Sequence, residues 1–227
     1  MAVVKGPGPR ENQRGQARTR LARRAVVEAA RALFLERGYA ATTIDAISNR
    51  SDVPPATVYR LFSSKLGILT ALLDVSITGD DEAVAVQDRP EAVALFAEPD
   101  PGKMLAGFAR ISVAINTRGE HVYRVLVSAA ASDPEAAALL AEYQRKRDQG
   151  QGQIARALAR AGSLRPGLRE RDAADIVHAL MSPDVYRLLV TERGWPPERY
   201  ERWLAATLGD QLLPAAAREA PGRSAVG

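Results

Sequence analysis

The chain has 227 residues, no cysteine and a formal net charge of +4, which allows one or two domains with a sizeable core and excludes both a disulfide framework and a thiolate metal site. No uninterrupted apolar run is long enough to span a bilayer, and the N-terminus lacks the apolar core of a signal peptide, so a cytoplasmic protein without a membrane partner is expected. Residues 1–24 carry Lys5, Arg10, Arg14, Arg18, Arg20, Arg23 and Arg24 against Glu11 alone, a basic concentration that attracts phosphate.

In chain order, residues 1–18 read as a disordered basic arm. A first helix follows, with Val26, Ala30, Leu33 and Phe34 along one face. It stops at Gly38; as a left-handed C′ residue, Gly38 would bring Tyr39 against Phe34. Thr42 and Thr43 offer N-caps for a second helix, and Thr42 with Asp45 resembles a capping box. Ile44 and Ile47 supply its buried side. After a turn at Asn49–Asp52, Pro55 suits the first position of a third helix, and Val53 and Val58 have the spacing of a hydrophobic staple. That helix, ending near Leu61 or Phe62, is shorter than the roughly 12 to 15 residues that stand alone in water. A fourth helix begins at Ser63 or Ser64, with Lys65 in its first turn. The helix dipole disfavours a cation there, and a phosphate at the same N-terminus would remove the conflict.

The segments AARALFLERGY, TTIDAI and VPPATVYRLFSSKLGIL together resemble the TetR (tetracycline-repressor) family of helix-turn-helix transcriptional regulators. The resemblance implies an all-α homodimer: a three-helix helix-turn-helix DNA-binding head, residues 19–66, followed by a larger helical ligand-binding and dimerisation domain, residues 67–214, and a disordered tail, 215–227. It also implies that Pro55, Ala56 and Arg60 face base edges, while Thr43, Thr57, Tyr59 and Lys65 hold phosphates. Two positions depart from the family pattern. Ser51-Asp52 stands where Ala-Gly is usual, and Pro54 replaces a polar cap; Asp52 can supply the turn because Asp tolerates left-handed backbone.

Beyond the head, the fourth helix runs through Leu66, Ile68, Leu69, Leu72 and Leu73 to about Gly79. Residues 80–101, with Pro90, Pro99 and Pro101, read as a mobile connection. Separate helices are expected from Pro101 through Ile115 and over residues 120–131. A long polar helix runs from Pro134 to about Gly162. Asp172 is expected to cap the next helix, which Ser182-Pro183 interrupts or kinks, and Pro197 starts the last. Val185, Leu188 and Leu189 with Trp203, Leu204, Leu208 and Leu212 would form a four-helix seam between two subunits, as the resemblance implies. Met104, Phe108, Asn116, Tyr123, Tyr143, His178 and Met181 are candidates to line an effector pocket.

These features describe a regulator, most simply a repressor, that binds a palindromic operator and releases it when a small molecule occupies the C-terminal domain. No cofactor or metal is expected. Two alternatives remain open: an effector-independent DNA-binding protein, architectural or constitutive, and an all-helical enzyme. His121 and His178 lack neighbours at metal-ligand spacing, and no G-x-S-x-G, P-loop or H-E-x-x-H motif is present.

Overall fold

The structure, a computed structural model, describes residues 9–79 and 86–215, and among these there is no strand. The helices are α1 (Pro9–Ala41), α2 (Ile44–Ser51), α3 (Pro55–Phe62), α4 (Lys65–Thr78), α5 (Pro90–Phe96), α6 (Pro101–Ala130), α7 (Pro134–Arg160), α8 (Glu170–Leu180), α9 (Pro183–Tyr186) and α10 (Pro197–Leu212). A 3-10 turn, Val86–Asp88, precedes α5, and a π-helical stretch, Arg187–Glu192, follows α9.

Two units divide the chain. The first comprises residues up to Leu73 together with Arg124–Ala137, and the second comprises Asp74–Tyr123 with the residues from Ala138 onward. The division between these units passes through α4 after Leu73, and the α6–α7 elbow groups with the first unit. Part of the expected arm is ordered as well: α1 begins at Pro9, while residues 1–8 and 216–227, which contain the rest of the arm and nearly all of the tail, lie outside the described residues.

In the first unit Val26, Ala30, Leu33 and Phe34 of α1 are buried as the periodicity predicts, together with Ile47, Val53, Val58 and Phe62. Gly38 adopts φ 78°, ψ 168°, a region open only to glycine and distinct from the expected left-handed helical one. The chain then makes one more helical turn, and Tyr39 still meets Phe34 with ring centroids 5.5 Å apart. Thr43, not Thr42, caps α2, accepting from the Ala46 N–H at 3.1 Å. Thr42 is buried and donates to the Gly38 carbonyl at 2.8 Å.

The second unit is built on a core that includes Met104, Leu105, Phe108, Leu158, Val177, Tyr186 and Tyr200. Leu204, Leu208 and Leu212 of α10 are fully buried in this same core, so they line the interior of one chain and cannot form an intersubunit seam. Leu188 remains 47% exposed. α6 is one 30-residue helix where two were expected. Asn116 and Glu120 are buried within it, so packing overrides the weak helix propensity of the Asn-Thr-Arg-Gly segment. The stretch read as a mobile connection contains α5, while residues 80–85 lie outside the described residues. At α8, Asp172 sits inside the first turn and pairs with Arg169 instead of capping. Ser182 caps a new helix, accepting from the Val185 N–H at 3.1 Å, so of the two outcomes expected at Ser182-Pro183 the structure shows the interruption.

Candidate functional site

The third helix, α3, is eight residues long and has no side-chain cap at Pro54, so its neighbours must hold it. Val58 is fully buried and Phe62 nearly so. The turn before it is closed by Ser48, whose hydroxyl donates to the Val53 carbonyl at 2.6 Å, and by Asp52 at φ 55°, ψ 32°, the left-handed geometry anticipated for this residue. At its other end Arg23 donates to the Leu61 carbonyl at 3.3 Å and lies over the Phe62 ring at 4.7 Å. This arginine, counted in sequence only among the basic residues of positions 1–24, satisfies an orphan carbonyl of the last turn.

Between α3 and α4 the chain bends by 63° through Ser63, which takes φ 65°, ψ −37°, a costly backbone state for a residue with a side chain. Ser64 caps α4, accepting from the Gly67 N–H at 3.0 Å. Gly67 is obligatory, because a Cβ there would stand 2.0 Å from the Phe62 carbonyl oxygen. A glycine alone in the first turn of an apolar helix was the available sequence signal.

Packing on Val58 and Phe62 turns the opposite face of α3 outward. Pro55, Ala56, Tyr59 and Arg60, spaced four residues apart in two pairs, are exposed, and Thr57 is half-buried. Thr43 is also exposed. Its oxygen accepts the capping bond from the Ala46 N–H, which leaves its O–H free to donate.

Lys65 behaves differently from the expectation. Its Nζ donates to the carbonyls of Tyr39 at 2.8 Å, Thr42 at 2.9 Å and Ala40 at 3.5 Å, and lies 4.3 Å from the centroid of the Tyr39 ring. Its protons are thus committed to backbone at the end of α1, and burial lowers its pKa. The lysine ties the start of α4 to the α1–α2 corner. The sequence shows its charge in the first turn but not the carbonyls beside it, which is why it read as a phosphate ligand.

The effector candidates separate into two groups. Met104, Phe108 and Met181 belong to the apolar core of the second unit, with Phe108 against Phe96 at 4.8 Å between ring centroids. Tyr123 and Tyr143 stack at 5.4 Å, and His178 is hydrogen-bonded by Arg147, a residue the sequence did not single out. Asn116 is buried, and its amide donates at 3.5 Å to Ser112. Among the described residues, no three His, Cys, Asp or Glu side chains gather as a metal site would require. No single helix is long and apolar enough to cross a membrane.

Residues 26–72 match the model described as bacterial regulatory proteins, tetR family. The chain is 28% identical over 182 residues to an uncharacterized HTH-type transcriptional regulator, YdeS of Bacillus subtilis (strain 168), spanning 80% of this chain and 85% of that protein. It is 29% identical over 160 residues to the HTH-type transcriptional regulator TcmR of Streptomyces glaucescens, spanning 68% and 64%. Among solved structures, the fold is similar to NalD, the secondary repressor of the MexAB-OprM multidrug efflux pump in Pseudomonas aeruginosa. That likeness has a TM-score of 0.63 at 20% identity, over 86% of this chain and 97% of that one. A transcriptional regulator from Saccharomonospora viridis in complex with choline aligns with a TM-score of 0.62 at 20% identity, over 85% and 98%.

Proposed function

We infer that this chain, a transcriptional regulator of the TetR family, is a homodimeric repressor that holds a palindromic operator and releases it when a small molecule occupies its second unit. The observation that carries the reading is the outward face of α3. Pro55, Ala56, Tyr59 and Arg60 stand exposed on a helix fixed from behind by Val58 and Phe62 and at its C-terminal end by Arg23. A short helix so displayed suits the major groove, where Arg60 reads a guanine and Pro55 and Ala56 approach base edges. Thr43, Thr57 and Tyr59 supply phosphate contacts, and Lys65 supports them indirectly by fixing the corner from which they project.

One such helix reads too few base pairs for useful specificity, which favours two heads about 34 to 36 Å apart on successive major grooves. The seam is assigned to Leu188, which stays exposed, with Val185, Leu189 and Trp203, which are partly buried. Sedimentation should give a dimer at micromolar concentration that Leu188→Glu weakens. A monomeric wild-type protein contradicts this.

Effector release follows from population shift: a ligand that prefers the conformation with misplaced heads weakens operator binding by its differential affinity. The chain passes between the units in α4, α6 and α7, and the α6–α7 elbow groups with the head, so a ligand among α6 and α7 acts on helices continuous with it. The test is operator affinity, by fluorescence anisotropy, with and without compounds that raise the melting temperature. Compounds that stabilise the protein without weakening operator binding would favour the effector-independent alternative.

A further inference from the structure

α7 carries Tyr143, Arg147 and Gln151 at successive turns, ahead of the buried Ile154, Ala155 and Leu158. Arg147 is partly buried, and burial works against its charge more than its neighbours support it. Its hydrogen bonds go to two neutral acceptors, the His178 carbonyl at 3.4 Å and His178 Nε2. Among the described residues no carboxylate comes within ion-pair distance of it; Asp148 and Asp184 act on it only from further away. Most of its guanidinium N–H groups are left over. Because Nε2 accepts, the proton of a neutral His178 resides on Nδ1. That Nδ1 is buried without a hydrogen-bond partner, 3.8 Å from Asp148 Oδ1. Gln151 Oε1 is buried without a partner as well. Alongside, the Tyr123 and Tyr143 rings lie 5.4 Å apart.

A guanidinium without a counter-charge and two buried polar atoms without partners are costly at half-buried residues. Together they complement one kind of guest: an anionic oxygen for Arg147 and His178, a donor for Gln151, and a flat ring for the tyrosine pair. A cation would meet the charge of Arg147, and a wholly apolar molecule would leave that charge unpaired.

We propose that the effector is an aromatic acid, a ring bearing a carboxylate or phenolate beside a hydroxyl, held at its anionic end by Arg147 and His178 and laid against Tyr123 and Tyr143. This rests on the effector reading above, and binding measured without DNA separates the two. The full-length protein is titrated calorimetrically with hydroxybenzoates and hydroxynaphthoates and with their neutral amides, then Arg147→Met and Arg147→Lys are compared. Acids should bind the wild type about ten- to a hundredfold more tightly than their amides, the worth of one or two charge-assisted hydrogen bonds. Arg147→Met should erase that preference and Arg147→Lys keep part of it. Without ligand, Arg147→Met should melt no lower than wild type, because it replaces an unpaired charge by an apolar chain of similar length. A panel in which no acid outbinds its amide, or an Arg147→Met protein that keeps the preference, overturns the proposal. So does a large fall in the melting temperature of unliganded Arg147→Met, which would make Arg147 a structural tie. Arg147-dependent binding of acids that leaves operator affinity unchanged would uphold this site and defeat operator release. Release by a neutral molecule indifferent to Arg147 would do the reverse.

Discussion

In the head, polar side chains inside the fold are tied to backbone: Lys65 to Tyr39 and Thr42, Thr42 to Gly38, Ser48 to Val53. In the second unit, Arg147 faces only neutral acceptors, while Gln151 and His178 each keep a buried atom without a partner. On the proposed DNA reading, the first arrangement suits a part that presents Tyr59 and Arg60 to a large, rigid partner without yielding, since a misplaced side chain would lose its contact. On the proposed effector reading, the second suits a part that takes in a small partner, because polar atoms left unmatched in the protein would be matched on binding.

The comparison breaks most sharply at Gly67. Gly67→Ala forces a Cβ against the Phe62 carbonyl and should cost about 3 kcal/mol or more, abolishing operator binding while ligand binding by the second unit survives. Calorimetry and anisotropy on the one variant check both halves; loss of both functions together would mean that the units do not fold separately. Lys65→Met comes next, at about 1.5 to 3 kcal/mol for bonds from a charged donor. It should lower the melting temperature and weaken binding to all DNA sequences, yet leave the salt slope unchanged. A slope reduced by about one unit per subunit would return Lys65 to a phosphate.

Thr43→Ala, removing the α2 cap, should cost about 1 kcal/mol, with Thr43→Ser close to wild type. The smallest effect is expected in the second unit. Burial first, and then Arg147, lower the pKa of His178 from its ordinary 6.5, against the opposing pull of Asp148 and Asp175. The neutral form therefore belongs to the fold. Its contribution is fully present above 6.5 and is lost as the pH falls through the lowered folded value. Melting temperatures across that acid range should decline less for His178→Gln than for wild type.

Much of the head was legible because its signals are local. Gly38 marks the end of the regular first helix, Pro54-Pro55 the start of the third, and Asp52 the left-handed turn between the second and third. Lys65 was read as a phosphate ligand alone because the carbonyls it bonds lie more than twenty residues away in the chain. Gly67 was passed over because its reason is a carbonyl across a bend. In the second unit the periodicity of α10 correctly gave a buried face, but a stripe does not name its partner, and Leu204, Leu208 and Leu212 turned out to pack within their own chain. Arg147 had no local signature at all, since an arginine on a polar helix reads as solvated until its burial is known.

The central claim is sequence-specific operator reading by α3, and selection of bound sequences from a random DNA pool, for wild type and Arg60→Ala over a salt series, tests it most directly. Wild type should yield a two-fold symmetric consensus. Arg60→Ala should cost about 1 to 3 kcal/mol on it and relax preference at one base pair in each half-site, with the salt slope nearly kept. No consensus from wild type, or a consensus that Arg60→Ala leaves intact, would contradict the account.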